Sequence, residues 1–359
     1  MRPFAKHRPA VERRPTGLRA ASARPASAFV GVLALVTVLW TCCISAEAST
    51  ATPATAATSS ITANTANTNT NVPAGVEHDA EAESATPDSA ELEKWCKAIA
   101  AIEPDGSVER CLSLQLTEGQ GRSVKGVPLW STDITPPAAA AAPLRVLVLG
   151  GIHADEEASV ILVMDWIARA RQAGRPVHWR MAPLVNPDGF FLPARTRVNA
   201  NGVDLNRNFA TRQWSEEARK YWIKTTRRDP RRFPGPAALS EPESQWVHEQ
   251  IGSFKPNLIV SVHAPYGVLD FDGPPPPPSR LGNLMLDQVG IYPGSLGNYG
   301  GIVLGVPVMT IELKNATRVS TADAAAMWND LQQWIGRKFL AAGTKTRVSA
   351  AKPARRGGR

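Results

Sequence analysis

The chain has 359 residues, 43% of them hydrophobic and 20% charged, with a formal net charge of +8. That size and composition suit one large folded domain or two small ones, and exclude a chain too polar to build a core. The positive excess does not mark a nucleic-acid binder, because it sits at the two ends: the first 26 residues hold seven Lys or Arg against one Glu, and the residues after 344 are basic without an acid, which leaves a nearly neutral body with no basic stripe.

In chain order, the basic start leads into AFVGVLALVTVLWTCCI at 28–44, a run shorter than the ~20 residues of a spanning helix. Ala46-Glu47-Ala48 then fits an A-x-A cleavage site. Basic, apolar, small is the order of a secretory signal, so residues 1–48 are expected to be a signal peptide that exports the chain to the periplasm. The alternative is an uncleaved N-terminal anchor that holds the chain to the inner membrane through 28–44. Cys42 follows Leu39-Trp40-Thr41, a poor match to a lipoprotein box. Residues 49–88 are Ala, Thr, Asn and Ser with few large apolar side chains, and are expected to be a disordered linker.

Residues 91–101 predict a short helix carrying Cys96. Cys96 and Cys111 form an even pair that an oxidising compartment can join, with two free thiols as the alternative; neither belongs to a CxxC pair, which argues against a cysteine metal site. RVLVLGG (145–151) is a continuous apolar run of the kind found in strands covered on both faces. EASVILVMDWIARARQAG predicts a helix ending at Gly174, and VHWRMAPLVN a second strand. SEPESQWVHEQIGSF predicts a helix with Ser240 as N-cap and Glu243 three residues on. LIVSVH (258–263) and VPVMTIEL (306–313) predict two more strands. HAPYGVLDFDGPPPPPSR (263–280) reads as a long loop whose five prolines favour a stiff polyproline wall. Residues 343–359 form a basic tail expected to be disordered. Between linker and tail lies one domain, 89–342, of the α/β class: a mixed, mostly parallel central sheet flanked by helices.

In open α/β sheets the ligand site forms beyond the carboxyl ends of the strands. Here RVLVLGG delivers His153 and Glu156, LIVSVH delivers His263, and VPVMTIEL delivers Glu312. Two imidazoles and a carboxylate are a catalytic zinc set that leaves a position for water, and a further carboxylate can act as its general base. His7, His78, His178 and His248 fall in the basic leader, the linker, a strand and a helix face. Asp155 and Glu157 flank the pair as solvated or supporting acids.

The stretches between these residues read QGRSVKGVPL (120–129), NPDGF (186–190), RTRVNANGVDLNRNF (195–209), SEPES (240–244) and IELKNA (311–316). In this order they resemble the zinc metallocarboxypeptidase family, and within it the bacterial murein peptide amidase branch, over most of the folded domain. The resemblance implies one Zn2+ per chain held by His153, Glu156 and His263, with Glu312 as general base and acid. It implies Arg197 as the group that polarises the scissile carbonyl, with Arg195 as the fallback, and Asn206 and Arg207 as the holders of a substrate carboxylate. Asp204 resembles an acid that orients a zinc-bound histidine. Tyr292 stands near the place of a mobile active-site tyrosine, and Tyr299 competes for it. Lys314 departs from the branch pattern, in which Leu-Pro follows the general base. Asp270 and Asp272 could recognise a substrate amine or act as turn residues.

The activity so implied is zinc-dependent hydrolysis of an amide bond in peptidoglycan-derived peptides, with γ-D-Glu–meso-diaminopimelate as the expected bond. The partner is a murein peptide or another small peptide bearing a carboxylate; no nucleic acid is expected, and the membrane only through an uncleaved N-terminal segment. The alternatives are an N-acyl amino-acid deacylase of the aspartoacylase or succinylglutamate desuccinylase type, and a wall-binding protein without catalysis.

Overall fold

The computed structural model describes residues 87–103, 106–136, 143–174 and 176–340. The expected leader, nearly all of the expected linker and the expected tail lie outside those residues. Among the described residues no helix is long and apolar enough to cross a membrane.

Two helices come first, α1 (Pro87–Ala100) and α2 (Val108–Leu112), joined by a disulfide between Cys96 and Cys111 with Cα atoms 5.6 Å apart. An antiparallel pair follows, β1 (Thr117–Arg122) and β2 (Pro128–Ile134). Next come β3 (Leu144–Leu149), α3 (Glu157–Gln172), β4 (Val177–Ala182) and the single turn α4 (Pro187–Phe190). Helices α5 (Trp214–Lys224) and α6 (Pro242–Phe254) lead to β5 (Leu258–His263), β6 (Val268–Asp272), and the short β7 (Arg280–Leu281) and β8 (Leu284–Leu286). The last strand is β9 (Val308–Glu312) and the last long helix α7 (Thr321–Ile335).

The strands form one sheet in the order β1-β2-β4-β3-β5-β9-β6-β8-β7. Its centre, β4-β3-β5-β9, is parallel throughout, and these are the four strands expected from the apolar runs. Antiparallel pairings attach β2 on one side and β6 on the other, so the sheet is mixed and its parallel character is concentrated in the middle. The apolar runs have a direct cause. In β3, Val146 and Val148 enter the core under α3 and α7, while Leu147 and Leu149 enter the core under α6. Both faces are covered, so neither set of alternate residues can be polar.

Two local expectations are corrected. Helix α6 starts at Pro242 with Glu241, not Ser240, in the cap position and without a side-chain cap bond. A proline at the first turn carries the helical φ by itself, and the Ser240 hydroxyl donates instead to Glu241 Oε1 at 2.6 Å. The stretch 263–280 is not loop throughout, because Val268–Asp272 pairs with β9. Its acids at alternate positions hid the strand; they lie on the face that opens into the cavity described below. The five prolines after Gly273 form no wall of that cavity.

Several of the distinctive motifs meet in a buried scaffold. Asp188 accepts hydrogen bonds from the Ser123 hydroxyl at 2.7 Å and the Lys125 amide at 2.9 Å. Glu243 accepts from the Val124 amide at 3.1 Å. The Asn199 side-chain amide donates to Glu241 at 2.7 Å and to Glu243 at 3.0 Å. NPDGF, SEPES and QGRSVKGVPL thus clamp one another and the loop 195–209.

Candidate functional site

The site grows out of strand register. On the α6 face of the sheet, β5 and β9 present paired rows: Ile259 with Val308, Ser261 with Thr310, His263 with Glu312. The rows pass from apolar to polar as the strands reach their carboxyl ends. Strand β6 extends all three, with Asp272 opposite Val308, Asp270 opposite Thr310 and Val268 opposite Glu312. On the other side, β3 turns at Gly150 and Gly151. A side chain at Gly150 would strike the Pro183 carbonyl, and Gly151 has φ +58°, so the turn requires residues without a Cβ. The turn delivers His153, and Glu156 at the cap position of α3.

His153, Glu156 and His263 are all buried and each offers a ligand atom, all within 4.8 Å of one another. His153 Nδ1 lies 2.8 Å from Glu156 Oε1, His263 Nδ1 lies 3.0 Å from Glu156 Oε2, and the two Nδ1 atoms are 3.0 Å apart. The outer ring nitrogens face other partners: His153 Nε2 is 3.1 Å from Asp204 Oδ1, and His263 Nε2 is 3.0 Å from Ser261 Oγ. An outward Nε2–H leaves both Nδ1 lone pairs pointing at a carboxylate and at each other. Such a donor set calls for a cation, and two imidazoles with one carboxylate suit zinc. The site is a candidate metal centre, and its residues fit the group.

Its electrostatics divide cleanly. Burial alone would raise Glu156, but His153 and His263 outweigh it and hold the carboxyl well below its ordinary range. Asp204, fully buried, is likewise held well below its usual value against its burial, by Arg197 and His153. Burial and Arg197 oppose charge on His153, yet Glu156 and Asp204 leave it raised. Burial pushes His263 down. Glu312 differs: burial and the neighbouring Glu156 push it up to about 7, and its Oε2 has no hydrogen-bond partner.

A cavity of about 190 Å³ opens over this centre, and His153, Arg197, Asn206, Arg207, Tyr292 and Glu312 all line it. Arg197 Nε donates to Asp204 Oδ2 at 2.9 Å, and its NH1 is 3.6 Å from Glu156. Arg195 faces away, paired with Glu157 at 2.6 Å and lying 4.5 Å over the Phe190 ring. Asn206 Oδ1 accepts from the Leu296 amide at 2.8 Å. The Arg207 guanidinium is buried 4.7 Å from the Tyr292 ring centre, with its Nε unpartnered. Tyr299 is in the core, stacked on Phe209 and bonded to His248. Asp155 pairs with Arg231 at 2.7 Å, and Lys314 is exposed outside the cavity.

Three contributors escaped the sequence reading. Ser261 is two residues before His263 on the same strand face, and that spacing could have found it. Arg232 and Tyr221 reach the cavity from the segment 214–232, whose charge pattern carries no signal for it.

The family model described as zinc carboxypeptidase matches residues 108–269, a stretch that holds His153, Glu156, Arg197 and His263. Residues 108–269 are thus similar to zinc carboxypeptidases. Glu312 lies past the matched stretch, and its place rests on the β5–β9 register. The domain is similar to murein peptide amidase A of Escherichia coli K12, with 38% identity over 156 residues, 43% of this chain and 61% of the relative. The murein peptide amidase A of Vibrio campbellii is 35% identical over 164 residues, 45% of this chain and 63% of the relative. The chain thus spans about three fifths of the length of these curated relatives. Among solved structures, the murein-tripeptide amidase of E. coli O157 superposes with a TM-score of 0.42 at 29% identity, covering 60% of this chain and 87% of that one. Carboxypeptidase A of Helicoverpa armigera gives 0.47 at 17% identity, covering 74% and 81%.

Proposed function

We propose that this protein hydrolyses an amide bond in peptidoglycan-derived peptides, with γ-D-Glu–meso-diaminopimelate as the bond cleaved. The observation that carries the reading is the row formed by His263 and Glu312, facing His153 and Glu156 across one cavity. The relatives named murein peptide amidase A support the substrate class.

Bound zinc would supply Lewis acidity towards the attacking water and the scissile carbonyl. Glu312, whose Oε2 is free, takes the proton from that water and passes it to the leaving nitrogen. Arg197, fixed by Asp204, offers its charge to the oxygen that becomes negative, and needs no rearrangement to do so. Asp204 also fixes the orientation of the His153 ring. Asn206 and Arg207 hold a carboxylate on the leaving residue, for which a guanidinium is the best-shaped partner. Tyr292, against Arg207, closes one wall over that carboxylate. The basic, apolar and small segments of residues 1–48 support export and with it a periplasmic reaction on peptidoglycan or its fragments.

The test is incubation of zinc-loaded protein with L-Ala-γ-D-Glu-meso-diaminopimelate, followed by mass spectrometry, with Glu312→Gln as control. Free diaminopimelate released by the unsubstituted protein alone is the expected result. Zinc bound without release would redirect the search to acyl-amino acids.

A further inference from the structure

The near-neutral total of the body conceals one concentration of charge, which corrects the expectation of no basic stripe. Residues 212–232 hold eight Lys or Arg against three acids. They run from the turn before α5, along that helix, and into the loop that leads to Phe233. The segment borders the candidate site: Tyr221 and Arg232 line its cavity, and Arg231 pairs at 2.7 Å with Asp155, which lies between His153 and Glu156 in the chain. Arg219 and Trp222 also border a separate groove of about 730 Å³, together with Phe233 and Pro234.

Three of the eight basic groups have an acid. Lys220 meets Glu217 at 3.3 Å, Arg231 meets Asp155, and Arg232 lies 3.8 Å from Asp229. Arg212, Arg219, Lys224, Arg227 and Arg228 are exposed, and among the described residues none of them forms an ion pair. Like charges at this density repel one another, and no acid of the described residues offsets them.

The loop after α5 is tied back onto the helix. The Trp222 indole donates to the Asp229 carbonyl at 2.8 Å, the Arg228 amide donates to the Trp222 carbonyl at 2.9 Å, and the Trp222 and Phe233 rings are 5.0 Å apart. This fold-back holds Arg227 and Arg228 at φ +56° and +60°, two successive residues in the left-handed region. Glycine or asparagine would sit there more easily. Two arginines kept in a disfavoured backbone, exposed and without an acid, point to a use for their side chains.

We propose that Arg212, Arg219, Lys224, Arg227 and Arg228 form a docking surface for an anionic polymer, the carboxylate-bearing peptidoglycan from which a substrate peptide projects. The assignment rests on the proposed hydrolysis of peptidoglycan-derived peptides and adds a surface that engages the polymer around the cleaved bond. Size favours a polymer. Helix α5 alone is about 16 Å long, so a ligand that spans its charges extends well outside a cavity of about 190 Å³. Each peptide of the polymer carries carboxylates, so the neighbours of the one in the cavity meet opposite charge along the segment. A lipid surface spread over the same charges would compete with access to the cavity that Tyr221 and Arg232 line.

The experiment is co-sedimentation of the zinc-loaded full chain with purified insoluble peptidoglycan, in a Glu312→Gln background so that the polymer is not consumed. Arg212→Gln/Arg219→Gln/Arg227→Gln/Arg228→Gln is compared with Lys255→Gln/Arg318→Gln/Arg337→Gln/Lys338→Gln, which removes the same charge at exposed positions elsewhere. The basic ends are common to all three proteins, so the differences read the segment alone. At ~0.05 M salt the first set is expected to bind ~10-fold more weakly than the parent, and the second set nearly as tightly as the parent. At ~0.5 M salt the three should converge, because exposed charges are then screened. No sedimentation of the parent, an unchanged first set, an equal loss in the second, or a loss that salt leaves intact would overturn the proposal. Tighter binding of the parent to phosphatidylglycerol vesicles than to peptidoglycan would overturn it in favour of a membrane. Circular dichroism and zinc content establish that both sets are folded. Should the first not fold, Arg212→Gln/Arg219→Gln is read in its place, and unchanged binding there is equally decisive. Hydrolysis of the free tripeptide with Glu312 intact separates the two readings: sedimentation that depends on the segment without hydrolysis overturns the activity, and hydrolysis without such sedimentation overturns the docking.

Discussion

Asp204 and Asp272 flank the same site and differ in one respect. Asp204 is fully buried between Arg197 and His153 and is held well below its ordinary pKa. Asp272 has Asp270 for a charged neighbour and is pushed up to about 6. At the metal pole the protein supplies its own counter-charges, so the ligand set is oriented before any substrate arrives. At the β6 pole no Lys, Arg or His forms an ion pair with Asp272 among the described residues. The two acids thus sit in opposite electrostatic surroundings.

The largest expected effect lies between the poles. Glu312→Gln keeps size and hydrogen-bonding capacity but cannot shuttle a proton, and kcat is expected to fall by about 10²–10⁴-fold while zinc content is unchanged. Retained turnover would show that Glu312 belongs to neither pole's chemistry. Next in size is a third kind of acid, buried and bonded only to scaffold donors. Asp188→Ala removes the bonds to Ser123 and Lys125 and is expected to cost about 2–3 kcal/mol of stability in urea titration. Zinc stoichiometry should survive wherever the variant stays folded; its loss would mean that the scaffold acids also set the metal pole.

Asp204→Asn addresses the compensated pole directly. It keeps a hydrogen-bond acceptor for His153 while removing the charge that Arg197 and His153 share. Zinc affinity, read by competition with a chelator, is expected to fall about 10–100-fold. An unchanged affinity would assign Asp204 to Arg197 alone.

The two poles were unequally legible in the sequence. His153, Glu156, His263 and Glu312 end apolar runs, and a polar residue at the end of a strand buried on both faces is visible because burial elsewhere in that strand forbids it. The parallel centre of the sheet was visible for the same reason. β6 was not, because its acids sit at alternate positions among apolar residues and a proline run follows, so it looked like loop. The choice between Arg195 and Arg197, and between Tyr292 and Tyr299, needed packing: two residues' difference turns Arg195 onto Glu157 and Phe190, and seven puts Tyr299 under Phe209. Asp188, Glu241 and Glu243 drew notice as motif residues, but only the fold shows that they hold one another together.

The smallest expected effect tests the uncompensated pole through stability. The pKa of Asp272 in the fold is about 6, above its ordinary 3.8, so the folded protein holds this proton more tightly than the unfolded chain does. Stability from this group is therefore complete below about pH 4, declines as pH rises through about 6, and is level beyond. A shift of that size would correspond to about 3 kcal/mol if unscreened. The carboxylate is only partly buried, so about 1 kcal/mol is the expected figure. Asp272→Asn never ionises and escapes the decline: in urea titrations it should be about 1 kcal/mol more stable than the unsubstituted protein at pH 8 and indistinguishable from it at pH 4. A variant less stable at pH 8 would mean that Asp272 already has its counter-charge, and the contrast between the two poles would fail.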